Sequence, residues 1–94
     1  MSLRNRHYRI ADYVEFTVID GVAIILDGRW GKYLGLNEVA TRILETLRDH
    51  GDPEGALAAV LREYDAPEAQ VRADVERMVL ELEEKGLIEP DERA

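Results

Sequence analysis

Two Asp-Gly dipeptides, at 20–21 and 27–28, bracket the short apolar run "VAIIL" (22–26). Asp-Gly is among the strongest hairpin signals, because both residues tolerate the positive φ of a tight turn. The run before the first turn, "VEFTVI" (14–19), alternates around Phe16 and Val18. The run after the second, "RWGKYLGL" (29–36), alternates apolar residues with Gly and Lys. A turn on each side of one strand-length segment predicts a three-stranded antiparallel β-meander. Near-continuous hydrophobicity in the middle strand fits a segment with neighbours on both sides.

After Leu36 the apolar period changes to that of helices. Asn37 is an N-cap with Glu38 in the first turn, and Ala40, Ile43, Leu44 and Leu47 form an i, i+3, i+4, i+7 stripe that stops at Gly51. Asp52-Pro53 opens a second helix with Leu57, Val60, Leu61 and Tyr64 on its inner face. Pro67 opens a third, with the stripe Val71, Val75, Met78, Val79 and Leu82. Leu80 falls nearly opposite that stripe. Gly86 predicts a left-handed helix stop, which makes Leu82 and Leu87 the contacting pair of a Schellman cap. The expected fold is α+β and winged-helix-like: a three-stranded antiparallel β-meander followed by three α-helices. Residues 1–13 read as an N-terminal arm, 14–88 as the domain and 89–94 as a C-terminal tail.

A chain of 94 residues has room for one domain with a small core. Its formal charge of −8 is uneven: Arg4, Arg6 and Arg9 put +3 in the first ten residues, leaving −11 for the rest. That body repels a polyanion, which argues against a nucleic-acid partner. No apolar run is long enough to span a bilayer, and no apolar segment follows the N-terminal arginines as a secretion signal requires, so no membrane partner is expected. Cysteine is absent, which excludes disulfides and thiolate metal sites and fits a cytoplasmic location.

Catalysis needs a constellation that this sequence does not assemble. His7 and His50 stand at element ends with no second histidine at metal-ligand spacing, so neither a metal nor another cofactor is expected. The candidate nucleophiles Ser2, Thr17, Thr41 and Thr46 have no local histidine to activate them. The carboxylates of "RADVERM" and "ELEEKG" read as a wet helix face. No catalytic residue is assigned, and the chain is expected not to be an enzyme.

The third strand is the informative one. It is last in the meander and therefore at the sheet edge, where backbone N–H and C=O groups lack partners. Gly31 and Gly35 have two readings: they permit twist and bulging where strand becomes helix, or they clear one face beside Tyr33 for an incoming chain. Leu34→Pro is expected to remove an edge N–H that such a chain would use. An extended peptide added to this edge, with the third helix as opposing wall, would form a cleft.

The stretches "DGRWGKYLGLNEVATRILETL", "ALAAVLREYD" and "VRADVERMVLELEEKGLI" resemble the PqqD-like proteins, the precursor-peptide recognition elements of ribosomally made, post-translationally modified peptides. The similarity covers about residues 14 to 88 and is greatest to the stand-alone recognition proteins of lasso-peptide clusters. The resemblance implies non-catalytic binding of a precursor's leader region as an added strand, and its delivery to a separate leader peptidase or other processing enzyme. It implies a strand wall of Lys32, Tyr33, Leu34 and Leu36 and a helix wall of Asp74, Val75, Met78, Val79 and Leu82. Val75 and Leu82 are the two most readily assigned to the core instead. The alternative function is a winged-helix nucleic-acid-binding regulator. Against it, residues 68–86 carry a balance of −3 where a recognition helix should be basic, and no hairpin wing follows Gly86. Dimerisation through the edge strand is a third reading, opposed by the charge of Lys32.

Overall fold

The computed structural model describes residues 6–91; Ser2 and Arg4 lie outside the described residues. The meander is present as β2 (Val14–Ile19), β3 (Val22–Asp27) and β4 (Lys32–Gly35), paired antiparallel in the order β2-β3-β4. The first turn is the tight one expected. Asp20 (φ 52°) and Gly21 (φ 80°) join Ile19 to its direct partner Val22.

The second turn is longer than expected, and this shortens the last strand. Asp27 pairs with Lys32, so Gly28, Arg29, Trp30 and Gly31 form the loop. Gly31 takes φ 64° and donates its N–H to the Asp27 carbonyl at 2.9 Å. It is therefore a turn residue, and the cleared strand face reduces to Gly35. Gly28 serves close approach instead: its N–H donates to the Tyr13 carbonyl at 2.8 Å, and a Cβ there would stand 2.8 Å from the same oxygen.

Helices α1 (Glu38–His50), α2 (Pro53–Glu63) and α3 (Glu68–Glu84) follow, as the periodicity predicts. The side chain of Asn37 accepts from the Ala40 N–H and that of Asp52 from the Glu54 N–H, each occupying an orphan donor of its helix. Gly86 (φ 74°) closes α3 in a full Schellman motif. Leu87 donates to the Leu82 carbonyl and Gly86 to that of Glu83, both at 2.9 Å, with Leu82 and Leu87 buried.

The chain ends depart from expectation. β1 (Tyr8–Ile10), in the segment read as an arm, pairs with β5 (Ile88–Pro90), which runs from the last residue of the expected domain into the segment read as a tail, in a separate two-stranded sheet. Tyr8 and Ile88 are buried and complete the core, while Arg9 and Glu89 pair across the outer face at 3.1 Å. Hydrophobic alternation over three residues is too short a signal to reveal such a strand. Tyr8 also donates its hydroxyl to Glu83 on α3, and burial pushes its pKa above the ordinary tyrosine value.

One buried contact positions the exit of β4. The Ala23 N–H donates to Thr41 Oγ1 on α1 at 2.7 Å, while the Ala23 carbonyl accepts from the Leu36 N–H at 2.9 Å. Thr41, a sequence candidate for a nucleophile, is thus a sheet-to-helix tie. Thr41→Val should leave a buried N–H without an acceptor and cost about 1–3 kcal/mol, measured by urea unfolding. Thr41→Ser should recover most of the loss by keeping the acceptor.

Candidate peptide-binding cleft

The β2-β3-β4 sheet has two edges, and the one at β4 faces a hollow. Among the described residues no strand pairs with the outer edge of β4. Antiparallel partners alternate between hydrogen-bonded and non-hydrogen-bonded pairs. Since Leu36 donates to Ala23, its register partner, the inward-bonding positions are Leu36, Leu34 and Lys32. The outward backbone groups are those of Tyr33 and Gly35. This corrects the expectation for Leu34→Pro, because the Leu34 N–H belongs to the protein's own ladder.

The side chains follow the same alternation with opposite consequences. Leu34 and Leu36 point toward the helices and are half-buried against the core. Tyr33 points to the outer face, 72% exposed, opposite Leu26. Gly35 lies beside it on that face, and a Cβ there would meet nothing within 4 Å.

Between β4 and the C-terminal half of α3 run two adjoining hollows that share Leu34 and Lys85. The first, about 200 Å³, is walled by Leu34, Gly35 and Leu36 on one side, Met78, Glu81 and Leu82 on the other, and Asn37 and Ala40 at its end. The second, about 310 Å³, lies toward the β3–β4 turn against Asp27, Arg29, Trp30, Lys32, Tyr33 and Leu87.

Of the residues expected on the strand wall, Lys32, Tyr33, Leu34 and Leu36 all line one hollow or the other. On the helix wall, Met78 and Leu82 do so. Val75 and Val79 are both 0% exposed and face the core, so the apolar stripe of α3 is largely internal. Asp74 lines neither hollow and stands 3.5 Å from Arg77. Glu81, Lys85 and Arg29 are cleft residues that the sequence reading left out. Glu81 and Lys85 sit three and seven positions after Met78, so helical spacing from that one residue would have found them.

Arg29 holds the turn to the end of α3. Its guanidinium grips both oxygens of Asp27, at 3.1 and 2.8 Å, and donates to the Lys85 carbonyl at 2.7 Å. It also lies 4.3 Å over the Tyr13 ring, whose hydroxyl donates to the Gly86 carbonyl. These contacts place a cation on the carbonyl end of α3, where the helix dipole favours one. The Arg29 hydrogen bonds hold the Asp27 carboxyl below the usual carboxylate range, and Asp27 raises the Arg29 pKa in turn.

The described residues contain no group of three or more His, Asp and Glu disposed to hold a metal. None of their helices is long and apolar enough to cross a membrane.

Comparison with known proteins bears on this cleft. The family model for coenzyme PQQ synthesis protein D (PqqD) matches residues 23–88. A solved structure of TbiB1 in complex with the TbiA(beta) leader peptide is 31% identical, with TM-score 0.80, covering 86% of this chain and 94% of that one. A lasso peptide synthetase B1 complexed with the leader peptide is 27% identical, with TM-score 0.79, covering 89% of this chain and 99% of that one. No curated protein sequence matches.

Proposed function

Because this chain belongs to the PqqD family, we infer that it binds the leader region of a ribosomally made precursor peptide, of the lasso class, by strand addition to β4. The carrying observation is the unpaired edge of β4 beside the hollows that separate it from α3. The two similar structures are of proteins complexed with leader peptides, which supports the same use here. A guest strand pairs with the outward N–H and C=O groups of Tyr33 and Gly35. Its alternate side chains then enter the hollow of Leu34, Leu36, Met78 and Leu82, or pass over Gly35 beside Tyr33. Main-chain pairing supplies affinity and the apolar hollow supplies selection. Asp74, Val75 and Val79 act behind the cleft rather than in it. The protein acts without catalysis, in the cytoplasm, and hands the precursor to a separate leader peptidase or other processing enzyme.

A nucleic-acid reading finds no support on α3, whose acids outnumber its bases where a recognition helix carries cations.

Backbone amide shifts on titration with a synthetic leader from the precursor gene beside this one test the proposal, with the TbiA(beta) leader as second probe. Shifts should concentrate on residues 32–36 and the second half of α3. Shifts centred on β2, the other sheet edge, would sink the site. Tyr33→Pro removes an outward N–H and should keep the fold while weakening binding about three- to tenfold, the worth of one net hydrogen bond. Leu34→Pro should instead lower the unfolding midpoint.

A further inference from the structure

The geometry points to a charge-selective subsite at the turn end of the cleft: Lys32 and Lys85 together receive an acidic side chain of the guest peptide. This rests on the peptide-binding reading above and adds the chemistry of one guest residue to it.

The chain has two lysines. One comes from β4 and the other from the end of α3, far apart in sequence, yet both line the second hollow. Neither makes an ion pair among the described residues, whereas Arg9, Arg29, Arg42, Arg48, Arg72 and Arg77 each pair with a carboxylate. Arg6 and Arg62 also lack a carboxylate partner among the described residues, so what marks the lysines is that the two share one hollow. The nearby acids are engaged elsewhere. Asp27, which also lines the hollow, is gripped on both oxygens by Arg29. Glu81, one turn before Lys85, is turned to Arg77 at 3.9 Å. Arg29 is itself satisfied by Asp27 and the Lys85 carbonyl. The hollow is therefore left with two free positive charges.

Its remaining walls are apolar and aromatic, with Trp30 67% and Tyr33 72% exposed and Leu34 and Leu87 beneath. A guest strand lying over this surface removes water from around the ammonium groups, which strengthens attraction to a carboxylate and penalises a guest cation. The first hollow carries Glu81 and no lysine but Lys85. The free positive charge is thus concentrated at the turn end of the cleft, which favours a guest register that sets its acidic residue there.

Selection of a random linear peptide library displayed on phage tests this, using the wild-type protein and the Lys32→Glu/Lys85→Glu variant in parallel. Wild type should enrich peptides with Asp or Glu at one fixed distance from their apolar residues. The variant should enrich Lys or Arg at that position. A selected acidic peptide should bind the variant about tenfold more weakly, and its acid-to-Lys counterpart should recover most of the loss. Lys32→Gln/Lys85→Gln, which adds no repulsion, should lose the acidic preference without acquiring a basic one. Thermal melting verifies that each variant is folded.

Enriched peptides that compete with the leader at β4 but show no acidic preference, or one unchanged in both variants, overturn the subsite and leave the cleft standing. Failure to enrich any peptide that binds at β4 overturns both.

Discussion

Met78→Glu should reduce affinity for the leader by about a hundredfold while leaving the protein folded. Met78 projects from α3 into the first hollow, half-buried among Leu34, Leu36 and Leu82. In the free protein a glutamate there can extend into the open hollow and stay hydrated, and it suits a helix as well as methionine does, so the cost to folding is small. Binding changes that balance. A guest side chain filling the hollow must strip water from the new carboxylate or yield its place, and Glu81 three positions on adds like-charge repulsion. Met78→Leu, which conserves volume and polarity, should stay within about threefold of wild type. Calorimetric titration of both variants with the leader separates the cases. Undiminished binding by Met78→Glu would remove the first hollow from the site.

Gly51→Ala should be the most destabilising single methyl addition in this chain, costing about 3 kcal/mol. Gly51 ends α1 at φ 70°, a left-handed conformation that a Cβ alone penalises by about 1–2 kcal/mol. Here a second penalty adds to the first. The Gly51 carbonyl accepts from the Tyr8 N–H at 2.8 Å, bringing β1 so close that a Cβ would stand 2.7 Å from the Tyr8 carbonyl oxygen. That neighbour is backbone, fixed by pairing with β5, and cannot rotate aside. The melting temperature should fall by roughly 12–24 °C, since 1 kcal/mol is worth about 4–8 °C in a domain of this size. Gly35→Ala is the natural control, with normal backbone geometry and open space around the new methyl. It should melt at or above the wild-type temperature. A loss of less than about 3 °C for Gly51→Ala would mean that β1 moves away freely.

How much of this was legible varies by element. Asp20-Gly21 encoded its turn completely, because positive φ at two successive positions is a local demand that few residues meet. Asp27-Gly28 misled for an equally physical reason. There the glycine is required by the approach of Tyr13, and the aspartate holds Arg29, so the loop runs on to Gly31. The α3 stripe gave a helix face without saying which part of it is covered. Val75 and Val79 sit in the core, and Met78, three positions after the one and next to the other, borders the cleft. Strand alternation assigned Leu34 and Tyr33 to opposite faces correctly. It could not assign their N–H groups to opposite edges, since that depends on the partner strand.

The order of the meander and the three helices, and the caps at Asn37, Asp52 and Gly86, were written in the sequence, because each follows from interactions between residues a few positions apart. The pairing of β1 with β5, the Arg29 bridge to α3 and the meeting of Lys32 with Lys85 were decided only by tertiary structure. Each joins residues more than fifty positions apart, and no local period or propensity records which distant surfaces packing will bring together.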